Sequence, residues 1–300
     1  MVLTLWPIWR CFGSEEIVVI TRRGLLVASA VGGVLGVAGC GKAVGPKSPD
    51  PVEIRYGADA AQTAMLWLPA GGGKVPVAVV IHGGFWMRDY GVELAVPLAQ
   101  DLAEEGIGGY AIEYRRVGKG GGWPRTFEDV AAAIDALARQ PRVDVSKVVA
   151  VGHSAGGQLA VWAAGRAGMP AGAPGDDPRV PIRGAVSQAG VLDLIDAYRQ
   201  QVGGDAVQAF LGATPDQDRP RYSLASPYER LPLGVPVALV HGTRDSEVPI
   251  EQSRRYRDAA VNAGDQVRLT ELQKVGHYEL IDPHSEAWAT CRSEARRLLG

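Results

Sequence analysis

The chain has 300 residues, with 31 lysine and arginine residues against 33 aspartate and glutamate residues, and an isoelectric point near 6.2. Hydrophobic residues make up 46% and charged residues 21%, which is ordinary for a globular protein that can bury a core without disulfides. This balance gives no sign of the basic surface that nucleic-acid binding usually requires, so we expect no nucleic-acid partner.

Residues 1–39 have the plan of a signal peptide. Arg22 and Arg23 precede an apolar run that ends in small residues, and the run is shorter than the roughly 20 residues that span a bilayer. Val-Ala-Gly-Cys at 37–40 resembles a bacterial lipobox, and residues 21–26 resemble a twin-arginine export signal. The resemblance implies that Cys40 is lipidated and anchors the exported protein to the outer face of the cytoplasmic membrane. Secretion without an anchor is the alternative.

The segments on either side of this apolar run differ in character. Residues 1–20 carry two tryptophans and two glutamates ahead of the basic pair, which does not suit a signal peptide, so we expect that the start codon is assigned too far upstream. Residues 40–52 are rich in Gly, Pro, Lys and Ser and are predicted to be a flexible linker. The predicted main domain, 53–300, contains a single cysteine, Cys291, so no internal disulfide and no cysteine-based metal site are expected.

In the main domain, apolar runs typical of strands alternate with stretches typical of helices. Strands are predicted at 75–81, 109–114, 148–151, 183–187, 235–240 and 267–272, the last as an edge strand. Helices are predicted at 94–105, 126–139 and 251–263, where Gly or Pro supplies each stop. This alternation indicates the α/β class, with a mainly parallel central sheet flanked by helices. Residues 193–232 interrupt it and are expected to form a small cap over the site.

A glycine-rich segment, His82-Gly83-Gly84-Phe85-Trp86, follows the first buried strand. It resembles the His-Gly-Gly motif of carboxylesterases, in which backbone N–H groups hold the oxyanion that forms during acyl transfer. The resemblance implies that Gly84 and Phe85 supply donors and that His82 braces the loop. Two roles stay open for Trp86, which could line the acyl pocket or pack within the fold.

Residues 149–160 have the pattern of a strand, a Gly-His-Ser-Ala-Gly turn and a helix, which is typical of a nucleophile elbow. Because the turn is sharp, Gly152 and Gly156 suit positions where neighbouring backbone comes close. The helix directs its N-terminus at Ser154, which favours developing negative charge. We therefore predict Ser154 as a nucleophile and the amide of Ala155 as a further oxyanion donor.

A serine nucleophile needs a base, and the base needs an acid that orients it. Residues 239–249 resemble a family segment, His-Gly-x-x-Asp-x-x-Val-Pro, whose aspartate is the acid; here it is Asp245, with Glu247 as the alternative. The chain order nucleophile, acid, histidine excludes the three histidines that precede Asp245. His277 follows the last predicted strand and is the predicted base, with His284 as the alternative.

Together these motifs resemble the α/β-hydrolase superfamily over roughly residues 53–290. Segments 113–116 and 123–130 resemble those of hormone-sensitive-lipase-like carboxylesterases and feruloyl/acetyl-xylan esterases of the BD-FAE-like branch, and kynurenine formamidases carry a related oxyanion motif. The resemblance implies an α/β-hydrolase fold and a serine hydrolase that cleaves small-molecule carboxylic esters through an acyl-enzyme, without a metal or organic cofactor. An arylformamidase, a prolyl-oligopeptidase-like peptidase and a catalytically inactive, lipid-anchored binding module remain as alternatives.

Overall fold

The computed structural model describes residues 50–300, so the predicted signal peptide and Cys40 lie outside the described residues. Eight strands form one sheet, namely β1 (Val52–Arg55), β2 (Thr63–Trp67), β3 (Val75–Ile81), β4 (Gly108–Ile112), β5 (Val143–His153), β6 (Ala185–Gln188), β7 (Val237–Gly242) and β8 (Val267–Leu272). Their order across the sheet is β1-β2-β4-β3-β5-β6-β7-β8. The pairs β1–β2 and β2–β4 are antiparallel, and the five other pairs are parallel.

Residues 50–300 also form eight α-helices, which cover both faces of the sheet. Helices α1 and α8 pack on one face, where Leu98, Leu102, Trp288 and Cys291 join the sheet core. Helices α2 and α3 and the segment between β6 and β7 cover the other face. The bounds are α1 (Val96–Glu104), α2 (Arg125–Asp135), α3 (Ala155–Ala164), α4 (Leu194–Arg199), α5 (Ala206–Leu211), α6 (Arg219–Ala225), α7 (Glu251–Asn262) and α8 (Glu286–Leu299).

The mainly parallel sheet flanked by helices confirms the predicted α/β class. All six predicted strands are present, and β8 is the edge strand that its alternating sequence predicted. The continuous apolar run in β3 is explained by burial on both faces, since residues 77–81 are at most 1% exposed. Strands β1 and β2 and the C-terminal helix α8 were not predicted from the sequence.

The segment predicted as a small cap, residues 193–232, lies between β6 and β7. It folds into the short helices α4, α5 and α6 and a 3₁₀ turn at Pro227–Arg230. Buried side chains, among them Phe210 and Tyr222, join this cap to the core on the α3 face. The cap is therefore packed against the domain along its length.

The parallel strands end at one edge of the sheet, and this edge positions the predicted site residues. Segment 82–87 follows β3, Ser154 follows β5, Asp245 follows β7 and His277 follows β8. In α/β sheets, ligands bind in the crevice at this edge. None of the helices within residues 50–300 combines the length and apolarity needed to cross a bilayer.

Candidate active site

Ser154 occupies the sharp turn between β5 and α3. Its backbone has φ 56° and ψ −120°, a conformation that non-glycine residues rarely adopt. The Ser154 amide donates to the carbonyl of Gln188 in β6 at 2.8 Å, and the Ser154 carbonyl accepts from the amide of Gly157 at 2.9 Å. These hydrogen bonds hold the turn in its strained form, as a nucleophile elbow requires.

The two glycines of the turn allow backbone segments to touch. A Cβ atom at Gly152 would lie 2.0 Å from the carbonyl oxygen of Gly156, and one at Gly156 would lie 2.1 Å from the carbonyl oxygen of Ile81. No larger residue fits at either position unless the backbone moves. The Gly-x-Ser-x-Gly spacing thus sets the first turn of α3 directly against the end of β3.

We call residues 82–87 the oxyanion loop. Gly84, Phe85 and Trp86 all have positive φ, at 107°, 51° and 58°, so the chain turns tightly beside the elbow. A Cβ atom at Gly83 would lie 3.1 Å from the Cβ atom of Ser154. Within residues 50–300, the amides of Gly84, Phe85 and Ala155 donate no hydrogen bond. The three predicted oxyanion donors are therefore free to bind a ligand oxygen.

His82 braces the oxyanion loop from beneath, as the sequence predicted. Its Nε2 lies 3.1 Å from Oε1 of Glu113, its ring stacks on Tyr114 at 4.3 Å, and its Nδ1 lies 2.8 Å from the Gly83 carbonyl oxygen. Burial opposes ionisation of Glu113, but the hydrogen bond and charge of His82, the amide of Tyr114 and the charge of Arg116 together lower its pKa. Both ring nitrogens of His82 thus have partners within or beside the oxyanion loop, so this residue is not the base that acts on Ser154.

The predicted acid and base are hydrogen-bonded to each other. His277 Nδ1 lies 2.6 Å from Asp245 Oδ2, and Asp245 Oδ1 accepts from the amides of Glu247 and Val248, each at 2.9 Å. His241 Nε2 lies 3.3 Å from the same Oδ2 atom. Burial opposes ionisation of Asp245, but the hydrogen bonds from His241 and His277 hold its pKa well below the usual 3.8. Asp245 is therefore charged throughout the neutral range.

Neither alternative to this pair takes its place. Glu247 contributes its backbone amide to Asp245, and its side chain accepts from the hydroxyl of Ser246 at 3.4 Å. His284 is exposed, and its amide donates to Asp282 at 2.9 Å. The structure thus brings together Asp245 and His277, the first choices of the sequence analysis.

His153 links the elbow to the base. Its Nε2 donates to the backbone carbonyl of His277 at 3.0 Å, and the centroids of the two rings are 4.3 Å apart. Within residues 50–300, the Ser154 hydroxyl is not among the hydrogen-bond partners of His277. Hydrogen bonds between a nucleophile and its base are often long in the absence of substrate and tighten when substrate binds.

Burial, and secondarily the nearby charge of His277, lowers the pKa of His153 from 6.5 to about 3. Between pH 6.5 and 3, His153 is protonated in the unfolded chain but neutral in the folded chain. His153 therefore destabilises the fold progressively as the pH decreases through this range. We expect this residue to contribute a slope of about 1.4 kcal/mol per pH unit in that range, and no destabilisation above it.

Denaturant unfolding of the wild type and His153→Gln at pH 7, 5 and 4 measures this slope. Glutamine keeps an N–H donor for the His277 carbonyl but does not titrate. With each step of acidification, the wild type should lose more unfolding free energy than His153→Gln. Parallel stability curves would show that His153 is not buried as a neutral ring.

The structure corrects one expectation, that Trp86 lines an acyl pocket. The Trp86 side chain is fully buried, its ring stacks on Phe210 of the cap at 4.4 Å, and its Nε1 donates to Oε1 of Gln158 at 3.0 Å. With a left-handed backbone at both Phe85 and Trp86, the indole turns into the core. The alternative role, packing within the fold, is the one observed.

A cavity of about 340 Å³ lies between the oxyanion loop and the cap. Its lining is mostly apolar, with two exposed carboxylates at Asp89 and Asp205. A larger cavity of about 720 Å³, beside Trp123 and Pro174, contains none of the predicted site residues. The smaller cavity is lined by two of the predicted oxyanion donors, Gly84 and Phe85, but not by Ser154 or His277, and we take it as the candidate substrate site. Its lining residues are Gly84, Phe85, Met87, Asp89, Tyr90, Gly203, Asp205, Ala206 and Ala209.

His241 and Gln158 are buried polar residues that support the site and were not predicted from the sequence. His241 Nδ1 accepts from Ser253 at 2.8 Å and its Nε2 donates to the Val248 carbonyl at 3.0 Å, so this histidine fixes the loop that carries Asp245. Gln158 contacts the oxyanion loop, and only its position one turn after Ser154 could have indicated this. No group of three His, Cys, Asp or Glu residues within 50–300 is arranged to hold a metal ion.

The sequence matches the BD-FAE family model over residues 66–259. The chain belongs to the BD-FAE family. The matched range extends from β2 into α7 and contains Ser154 and Asp245, whereas His277 lies beyond it.

Two curated proteins are similar in sequence to this chain. The chain is similar to Esterase LipC of Mycobacterium tuberculosis, with 28% identity over 253 residues that cover 76% of this chain and 60% of LipC. It is also similar to Uncharacterized peptidase YuxL of Bacillus subtilis, with 25% identity over 243 residues, 76% of this chain and 35% of YuxL. The chain thus spans less than two thirds of the length of either relative.

A solved structure, a truncated form of a carbohydrate esterase from gut microbiota, has the same fold. The TM-score is 0.72 at 18% identity, and the alignment covers 84% of this chain and 97% of that one. This likeness confirms the predicted α/β-hydrolase fold.

Proposed function

We propose that this protein is a serine hydrolase that cleaves carboxylic esters through an acyl-enzyme, with Ser154 as nucleophile, His277 as base and Asp245 as the orienting acid. The observation that carries the proposal is the 2.6 Å hydrogen bond between His277 and Asp245, at the same sheet edge as a strained serine and free backbone amides. Similarity to LipC, an esterase, favours an ester over an amide as substrate.

In the first half-reaction, His277 Nε2 takes the proton of the Ser154 hydroxyl while Oγ attacks the ester carbonyl carbon. The carbonyl oxygen becomes an oxyanion, which the amides of Gly84, Phe85 and Ala155 stabilise. Asp245 keeps the proton of His277 on Nδ1, so that Nε2 is available as a base, and stabilises the imidazolium that forms. Because the pKa of Asp245 is low, it stays charged during this step.

The tetrahedral intermediate then collapses. The bond to the alcohol oxygen breaks, and the leaving alcohol takes the proton from His277 Nε2, which leaves an acyl group on Ser154. A water molecule enters, gives its proton to His277 and attacks the acyl carbon. The bond between the acyl carbon and Ser154 Oγ then breaks, Oγ takes the proton from His277 Nε2, and the carboxylic acid leaves.

Labelling with a fluorophosphonate probe tests the nucleophile. We expect the wild type and the surface variant Ser146→Ala to be labelled equally and Ser154→Ala not to be labelled, because the probe forms a bond only to an activated serine. An unlabelled wild type, or a labelled Ser154→Ala, refutes the proposal and favours an inactive binding module.

A substrate panel tests the reaction class. p-Nitrophenyl esters of increasing acyl length, N-formylkynurenine and aminoacyl anilides represent an esterase, an arylformamidase and a peptidase. We expect the highest kcat/KM for an ester. A preference for the formamide or an anilide over every ester would move the protein to one of the alternative classes.

We also propose that the protein is exported and lipid-anchored through Cys40, with the hydrolase domain outside the cytoplasmic membrane. The support is the lipobox-like sequence at 37–40 after a basic pair and an apolar run. Mass spectrometry of the native protein tests this: the expected N-terminal residue is a diacylglyceryl-modified Cys40, and a mature chain that begins at Met1 would exclude it.

A further inference from the structure

Gln158 connects three parts of the candidate site. It lies on α3, one helical turn after the nucleophile, it is fully buried, and its amide donates to the Ser154 carbonyl at 3.2 Å. Its side-chain Oε1 accepts from Trp86 Nε1 at 3.0 Å, and its Nε2 donates to the carbonyl of Ala225 in the cap at 2.8 Å. Both polar atoms of the side chain are therefore satisfied by groups from different segments.

The contact with Trp86 falls at the most strained part of the oxyanion loop. Phe85 and Trp86 both have left-handed backbone, which costs of order 1 kcal/mol or more for each non-glycine residue and persists only where the surroundings impose it. Two specific contacts of the indole are the stack on Phe210 and the hydrogen bond to Gln158. The stack ties the indole to the cap, and the hydrogen bond ties it to the helix that carries Ser154.

The position of the indole affects the two predicted oxyanion donors that precede Trp86 in the chain, the amides of Gly84 and Phe85. An oxyanion donor must lie within about 0.5 Å of its productive position, and loss of one donor costs about 100- to 1000-fold in kcat. If the indole were free to shift, the adjacent amides of Phe85 and Gly84 would move with the relaxing backbone. A hydrogen bond far from the reacting atoms could in this way control the rate.

We propose that Gln158 is a positioning residue that, through the indole of Trp86, holds the oxyanion loop in register with the nucleophile. The proposal rests on the proposed function, since it assigns a role in oxyanion stabilisation. Gln158 touches no reacting atom. Its effect is on the geometry of the Gly84 and Phe85 donors.

Two variants break this connection in different ways. Gln158→Met keeps the length and volume of the side chain but removes both hydrogen bonds, whereas Trp86→Phe keeps an aromatic ring against Phe210 but removes the donor. We expect Gln158→Met to lower kcat about 10- to 100-fold and Trp86→Phe to lower it about 10-fold, with KM within about 3-fold of the wild type, because the loss is confined to the transition state.

A matched control comes from the same helix. Trp162 is also buried and donates through Nε1 to a cap carbonyl, that of Leu224, at 3.1 Å, but it has no hydrogen bond to the oxyanion loop. Trp162→Phe therefore removes an equivalent bond between α3 and the cap. We expect it to lower Tm about as much as Trp86→Phe and to leave kcat within about 2-fold of the wild type.

The double variant Trp86→Phe/Gln158→Met separates a shared role from two independent ones. Residues that act through one hydrogen bond should be non-additive, so we expect a kcat close to that of Gln158→Met alone. If Gln158→Met does not fold, Trp86→Phe against Trp162→Phe still decides the question. The proposal is overturned if Trp86→Phe and Gln158→Met lose Tm but keep kcat within 2-fold, as the control does.

Labelling of the wild type at Ser154 is measured first. A wild type that is not labelled contradicts the proposed function itself. A labelled, active wild type whose Gln158 and Trp86 variants match the control contradicts only the positioning role.

Discussion

Replacing Asp245 with asparagine is expected to lower kcat about 10,000-fold, the size of effect seen in Ser-His-Asp hydrolases when the acid becomes an amide. The asparagine can keep an oxygen for the amides of Glu247 and Val248, so the loop should hold its shape. Its amide group would then face His277 Nδ1 as a donor, which forces the imidazole proton onto Nε2. His277 then has no lone pair directed at Ser154 and cannot act as a base.

Steady-state kinetics on the best p-nitrophenyl ester and the rate of fluorophosphonate labelling both measure this effect, and Tm reports whether the fold is intact. Glu247→Gln is the matched control, because it removes a carboxylate from the same loop without touching His277. We expect its kcat to stay within about 2-fold of the wild type. A large loss of kcat in Glu247→Gln together with a near-wild-type kcat in Asp245→Asn would show that Glu247 is the acid.

Gly156→Ala is expected to damage stability and activity together. The added Cβ would lie 2.1 Å and 2.4 Å from the carbonyl oxygens of Ile81 and His82, and these are backbone atoms of a central strand and its loop. Overpacking of this kind typically costs about 1–3 kcal/mol, and because backbone lies on both sides of the added Cβ, we expect a cost of about 3 kcal/mol here. Because the oxyanion loop starts at His82, we also expect kcat to decrease about 100-fold.

Denaturant unfolding and ester hydrolysis on the same preparation measure both effects. Gly168→Ala is the matched control, since its nearest neighbour atom is 3.9 Å away at the end of the flexible Arg230 side chain. We expect this variant to match the wild type in both measurements. A Gly156→Ala protein with wild-type stability would mean that α3 and β3 are not in contact as the structure describes.

The parts of the site that could be predicted from sequence depend on local backbone demands. Gly152, Ser154 and Gly156 are recognisable because a sharp turn pressed against a strand tolerates few other residues. The base was found by chain order, although 32 residues separate it from Asp245. Both predictions rely on the regular alternation of strands and helices, because this alternation places the loops that follow the parallel strands at the same edge of the sheet.

The role of Trp86 could not be predicted, because it depends on the direction in which one loop residue turns. Two left-handed residues in succession direct the indole toward Phe210 and Gln158, which are 124 and 72 positions away in sequence. The roles of His153 and His241 were missed for a related reason. Both contact backbone carbonyls, which any residue supplies, and nothing in the sequence pairs His241 with the side chains of Ser253 and Asp245.

The sequence predicts a small cap at residues 193–232 but not the helices within it. Helices α4, α5 and α6 have six, six and seven residues, fewer than two full turns each, so apolar periodicity has no room to appear. Strands β1 and β2 are short, and β1 is exposed at three of its four positions. The packing of these elements is decided by contacts with the rest of the domain.

The acceptor that the cap offers to Gln158 is the backbone carbonyl of Ala225, and any residue at that position would supply the same atom. The cap side chains that line the candidate substrate cavity take no part in this hydrogen bond, so their replacement is expected to change the cavity and to leave this contact in place. A chimaera that keeps β3, β5 and α3 but takes its cap from another member should retain its chemistry and change its substrate range. The contact with Gln158 is thus made by a main-chain atom, whereas the cavity is lined in part by cap side chains that can be replaced.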